Sequence, residues 1–224
     1  MDQPQAFFDV VAKGDISAVE ALLTQQPELT AARNDQGVSA VLTALYNQQR
    51  DIADRLLAAA PVLDIFDAAA TGQRQRLRTL LDDDATLANA EASDGARPLH
   101  LACFFGQTEA AKLLLDCGAD VNVGVAAFGG VYPLHSAAAS RSVDIVRILL
   151  EAGADPNTKQ QGGWTALHAA VTHNDCPTTQ TLLQHGADPM VKTDDGVTSI
   201  DLARSARNLD IVERLKQASK QASA

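Results

Sequence analysis

The chain has 224 residues, long enough to bury roughly 70 to 75% of its surface around a core of its own, which excludes a miniprotein stapled by disulfides. Apolar residues at 46% and charged residues at 21% exclude wholesale disorder. The formal charge of −10, from 18 Lys and Arg against 28 Asp and Glu, repels phosphate backbones and anionic lipid, so neither nucleic acid nor membrane is an expected partner.

Aromatics are only 4% of the chain, against 40 Ala and 26 Leu, a bias toward helix formers over strand formers that predicts an all-α protein. The first residues, Met1 to Phe7, show no basic segment followed by an apolar one. No run approaches the 18 or so apolar residues of a membrane helix. A cytoplasmic, unprocessed chain is expected, with Cys103, Cys117 and Cys176 as reduced thiols, since the count is odd and no C-x-x-C pair occurs.

From Phe7 onward the chain repeats. Apolar anchors stand at Phe7, Val41, Ile65, Leu99, Leu134, Leu167 and Ile200, separated by 34, 24, 34, 35, 33 and 33 residues. Three positions on, where a helix returns to the same face, come Val10, Ala44, Ala68, Ala102, Ala137, Ala170 and Ala203. Fifteen positions on come Leu22, Leu56, Leu80, Leu114, Leu149, Leu182 and Leu215. Each unit reads as two short helices, the first kept slim by its small residue and the second amphipathic, as in Val143 to Leu150. Neither reaches the roughly 12 to 15 residues an isolated helix needs, so stacking must supply the stability.

Between units Gly-Ala-Asp recurs at 118–120, 153–155 and 186–188, where the glycine suits a left-handed helix end. A polar stretch follows, closed by Gly37, Gly95, Gly130, Gly163 or Gly196 four residues before the next anchor, which predicts a projecting turn, or finger. Between Leu57 and Ile65 only AAAPVLD intervenes, so the third unit has no residues for a finger and the groove is expected to be interrupted there. The step through VNVGVAAFGGVY is long, so that finger is expected to be extended.

The segments DGARPLHLACFFG, GGVYPLHSAAAS and GGWTALHAAV, with LLLDCGADVN and LLEAGADPN, resemble ankyrin repeats in both their 33-residue period and their T-P-L-H-x-A-type signature. The resemblance is strong from Asp94 to Leu202 and weaker before it. It implies a solenoid of about seven helix-turn-helix units spanning 1–224 as a single domain, with the first and last units as caps and a concave groove under the fingers. Arg204, where Cys103, Ala138 and Val171 stand upstream, suits a polar terminal cap. Arg97 and Tyr132 replace the usual Thr before P-L-H, which removes the family's Thr-to-His hydrogen bond at those two places.

The sequence offers no catalytic or metal constellation. His100, His135 and His168 lie one unit apart, roughly 8 to 10 Å between stacked helices, whereas zinc ligands each sit near 2 Å from one ion. Each is expected to bond the backbone of its turn instead. Asp175, Cys176 and Pro177 read as a helix start beside His173, and Cys103 as a core residue. Arg74, Arg76 and Arg78 near Asp82, Asp83 and Asp84 read as solvated helix charges with some i,i+4 pairing. No cofactor motif occurs.

What the resemblance implies for binding is a surface made of the fingers and of first-helix positions five and six after each anchor. Carried onto this chain, those positions include Tyr46, Phe104, Phe105, Phe128, Val131, Trp164 and His173, with Asp94, Asp194 and Asp195 on the fingers. Five of the nine aromatics fall among them, as in an interface hot spot. The expected function is a non-catalytic scaffold or adaptor, monomeric, that holds a partner protein with a basic rim in its concave groove. Two alternatives stand beside it: a small-molecule receptor or enzyme using a pocket at the shortened junction 58–66, and a self-associating structural module.

Overall fold

The computed structural model describes residues 3–59 and 61–222. Seven helix pairs follow in chain order: α1 (Gln3–Lys13) with α2 (Ile16–Gln25), α3 (Ala40–Tyr46) with α4 (Arg50–Ala58), α5 (Ile65–Thr71) with α6 (Arg74–Asp83), α7 (Pro98–Phe104) with α8 (Thr108–Asp116), α9 (Pro133–Ala139) with α10 (Val143–Glu151), α11 (Ala166–Thr172) with α12 (Cys176–Gln184), and α13 (Ser199–Ser205) with α14 (Leu209–Ala222). Odd helices pack against odd helices and, apart from α4 and α6 at the short junction, even against even, giving two helical layers with the fingers attached to the odd one. Among the described residues the extended structure is confined to three isolated bridges within fingers, Arg33 with Ser39, Val125 with Val131 and Lys192 with Thr198.

All seven anchors are buried, as are the alanines three residues later. Seven positions after each anchor the chain turns from first to second helix through a left-handed residue: Gly14, Gln48, Gly72, Gly106, Arg141, Asn174 and Arg207. Four of the seven turns impose that conformation on a residue with a side chain, which tertiary packing must sustain. The leucine at anchor plus fifteen is fully buried in five units, while Leu22 and Leu80 are half-buried. In those two units Val19, and Leu77 with Leu81, fill the core.

The units are stitched by a ladder of asparagines. Asn89 Nδ2 donates to the Gly118 carbonyl at 2.8 Å and its Oδ1 accepts from Asp120 N. Asn122 does the same for Gly153 and Asp155, and Asn157 for Gly186 and Asp188. The Gly-Ala-Asp turns are therefore docking points for the preceding unit as well as helix ends.

The histidines form a second ladder. His100 Nε2 donates to the Val131 carbonyl at 3.0 Å, and His135 Nε2 to the Trp164 carbonyl at 3.2 Å, whereas the buried Nε2 of His168 has no partner. His100 and His135 thus bond the next unit's turn, and His135 and His168 bond their own. Thr165 holds His168 Nδ1 through its hydroxyl at 2.8 Å and its backbone N–H. At Tyr132 the backbone N–H alone supplies that bond, at 3.3 Å. At Arg97 it is missing, and the buried Nδ1 of His100 has no partner.

The short junction divides the core. Phe7, Val11, Val41, Ile52, Leu56 and Leu63 belong to one apolar cluster, and residues from Ile65 to Leu215 to another. Among the described residues a small third cluster of Val38, Leu42, Ala70, Ala96 and Leu101, with a few half-buried neighbours, spans the gap. Polar groups reinforce it: Arg33 Nη2 lies 2.7 Å from Asp64 and 3.8 Å from the buried Asp67, to which the Ser39 hydroxyl donates. Arg76 Nε donates to the Leu63 carbonyl at 2.8 Å, so this arginine braces the junction and is not paired with the aspartates of its own helix.

Candidate functional site

The missing finger reshapes the groove without cutting it. With only a short connection from α4 to α5, the finger at 92–96 closes onto the finger at 34–38: the Ser93 hydroxyl donates to the Gln36 carbonyl, and Tyr46 Oη donates to Asp94 Oδ2 at 3.2 Å. Asp94 is fixed in turn by accepting from Ala96 N at 2.9 Å. The expected interruption therefore takes the form of a hollow of about 310 Å³ between these two fingers, lined by Arg33, Asp64, Phe66 and Asp94 among others.

The extended finger forms a helical turn at Ala126–Phe128 closed by Gly129 and Gly130. It carries Phe128 back toward the gap, where Phe128 shares a hollow with Tyr46, Asn47 and Asp94. Beside it, Tyr46, Phe104, Phe128, Val131, Leu101 and His100 surround a second, almost wholly apolar hollow of about 220 Å³. Tyr46, Phe104 and Phe128 are 38%, 53% and 47% exposed. Phe105 is half-buried between them, with ring centroids 5.1 Å from Phe104 edge-on and 6.1 Å from Tyr46, so it buttresses the two. Burial and the neighbouring Asp94 carboxylate push the Tyr46 phenol up from its ordinary value, so it stays a donor at any physiological pH.

The other sequence-selected residues do not join this cluster. Trp164 is half-buried and stands edge-on to His168, centroids 5.6 Å apart, because the turn at Gln161–Gly163 lays it over its own histidine. His173, Asp194 and Asp195 are exposed, two units further along. Asp175 accepts from Thr178 N at 3.2 Å as the cap of α12. Burial pushes the Cys103 thiol up and its neighbour His100 down to about 4, which leaves that pair a protonated thiol and a neutral imidazole. Among the described residues no group of three His, Cys, Asp or Glu is placed to hold a metal ion, and no helix is long and apolar enough to cross a membrane.

Sequence reasoning missed Leu101 and His100 as the floor of the apolar hollow. It also missed Phe128 and Tyr46 as partners across the gap. The shortened junction was the available signal, since a missing finger has to bring its neighbours together.

A family model described as ankyrin repeats, in three copies, matches residues 65–160 and 134–223, together about seven-tenths of the chain. Comparison with curated proteins gives no match. With the paired-helix units, the fingers and the Gly-Ala-Asp and histidine ladders already described, that match places the chain in the ankyrin-repeat family.

Proposed function

We propose that the chain is a non-catalytic adaptor of the cytoplasm, a single repeat domain over 1–224 that holds a partner protein in its groove. Ankyrin repeats are generally protein–protein interaction modules. One observation carries the reading for this chain: three of the exposed large apolar side chains among the described residues, Tyr46, Phe104 and Phe128, converge on one hollow between finger and first-helix layer. The others, Val62, Leu209, Met190 and Ile16, are dispersed over other elements. Convergent exposed aromatics around a concavity are the usual makings of an interface centre.

Tagged protein retains a partner from a host lysate in this reading. A Phe104→Ala, Phe128→Ala variant of unchanged circular dichroism loses it, while a Val62→Ser, Leu209→Ser variant, equally altered in exposed apolar surface, keeps it. Equal capture by all three would refute the groove as the docking site.

A second reading, a small-molecule receptor at the shortened junction, is favoured by the 310 Å³ hollow there and by Asp67 beneath it, whose carboxyl burial raises to about 6. Its charged lining is engaged internally, however: Arg33 with Asp64 and Glu91 with Arg97, both pairs under 3 Å. The third reading, self-association through the same aromatics, predicts a concentration-dependent mass in light scattering.

A further inference from the structure

The groove is apolar at one end and acidic along the rest of its course. From the hollow at Phe104 and Phe128 the surface passes Tyr46 and Asp94, then Thr43 and the finger residues Asn34 and Gln36, and reaches Asp35 and Asp9 beside α1. No lysine or arginine lines that track. Its one histidine, His100, is neutral near pH 7 because burial holds its pKa at about 4.

Among the described residues, none of Asp9, Asp35 and Asp94 is in an ion pair. Asp94 accepts only from Tyr46 and a backbone N–H, and Asp9 from the Gln5 amide. Arg33, in the adjoining hollow, is already committed to Asp64. Among the described residues, then, no cation pairs with this line of carboxylates beside the exposed apolar hollow. A complementary ligand has an apolar knob and positive charge on one side of it.

Resting on the groove as the docking surface, we propose that its occupant is a short segment of a partner protein in which one large apolar side chain fills the hollow between Phe104 and Phe128, and Lys or Arg residues run from it past Asp94 toward Asp35 and Asp9. Stacked helices lie about 8 to 10 Å apart, so the three steps from α7 to α1 cover about 25 to 30 Å. An extended chain crosses that distance in about eight residues. The basic residues thus fall within about eight positions of the apolar one.

The test is selection of a displayed random-peptide library on the wild-type protein, followed by fluorescence anisotropy of the enriched peptides. Enriched peptides are expected to pair a large apolar residue with two or more Lys or Arg on one side of it. The exposed-surface variant Asp9→Asn, Asp35→Asn, Asp94→Asn is expected to weaken them about tenfold or more and to flatten the salt dependence of binding. Phe104→Ala, Phe128→Ala is expected to abolish binding.

Peptides bound through Phe104 and Phe128 but free of basic residues, or indifferent to the three Asn substitutions, would overturn the basic segment and leave the groove standing. Failure to enrich, or enriched peptides insensitive to Phe104→Ala, Phe128→Ala, would overturn the groove itself. A dimer in light scattering that the same two substitutions dissolve would put a second copy of the chain in the groove, and that also overturns the proposal.

Discussion

Asp67 stands at the seam of the molecule, 2% exposed, with the Ser39 hydroxyl bonded to it and Arg33 at 3.8 Å. Burial is the main force on its carboxyl and the adjacent Asp64 charge the next; Ser39 and Arg33 oppose them incompletely, and its pKa is raised to about 6. A raised pKa means that folding favours the protonated acid. The associated stability is therefore complete below the unfolded value near 4, and is lost as pH climbs through about 6. Above that range the wild type holds a poorly compensated buried anion. Asp67→Asn keeps an acceptor for Ser39 without the charge, and Arg33 retains Asp64. The variant is expected to be more stable than the wild type by roughly 1 to 2 kcal/mol, a few degrees in melting temperature, at about pH 7.5. The advantage should vanish below about pH 4. Thermal unfolding of both proteins across that range checks it; an offset independent of pH would show that Asp67 is not the titrating group.

Fingers are the elements that differ most along the stack, and two glycines separate their internal strain from their mutual contact. Gly130 and Gly163 sit at equivalent places with φ of 72° and 73°. A Cβ on Gly130 meets nothing within 4 Å, whereas on Gly163 it would lie 2.8 Å from the Asp194 backbone nitrogen and 3.1 Å from the Thr193 carbonyl carbon. Gly130→Ala is therefore expected to cost only the left-handed backbone, about 1 kcal/mol. Gly163→Ala should cost about 3 kcal/mol, because the next finger has to move and the bond from Asp194 N to the Gly162 carbonyl, 2.9 Å, is lost with it. Urea midpoints of the two variants measure the difference, and equal losses would show that these fingers do not support each other. Such side-to-side contacts also mark how far the sequence could be read. Helix pairs, unit number, the missing finger and the long one follow from local spacing, since each is dictated within one repeat. Where Phe128 and Trp164 point does not: Phe128 meets Tyr46 and Asn47 from units distant in sequence, while Trp164 is laid over His168 by its own turn at Gln161–Gly163. The aromatic cluster expected from position alone accordingly separates into Tyr46, Phe104, Phe105 and Phe128 on one side and Trp164 on the other.

At the scale of the whole stack, stability in a repeat protein is close to a sum of unit terms and nearest-neighbour interface terms, so one weak interface breaks the cooperativity of the rest. The interface between α3 and α5 is the weak one. The two large apolar clusters part there, the asparagine ladder begins beyond it at Asn89, and the histidine ladder beyond it at His100. Buried polar groups take over at the seam, and one of them, Asp67, is charged at a cost near neutral pH. Helices α1–α4 are thus expected to open before α7–α12. The chain carries its own reporter for this, because its sole tryptophan, Trp164, lies in the second part and packs edge-on against His168. Urea unfolding followed by tryptophan fluorescence should therefore lag unfolding followed by far-ultraviolet circular dichroism, which sees both parts, and α1–α4 amides should exchange hydrogen first. Asp67→Asn, by strengthening the seam, should bring the two curves together at pH 7.5. Coincident transitions in the wild type, with uniform amide protection from α1 to α12, would mean that the few apolar residues bridging at Val38, Leu42 and Leu101 are enough to couple the stack into one cooperative unit.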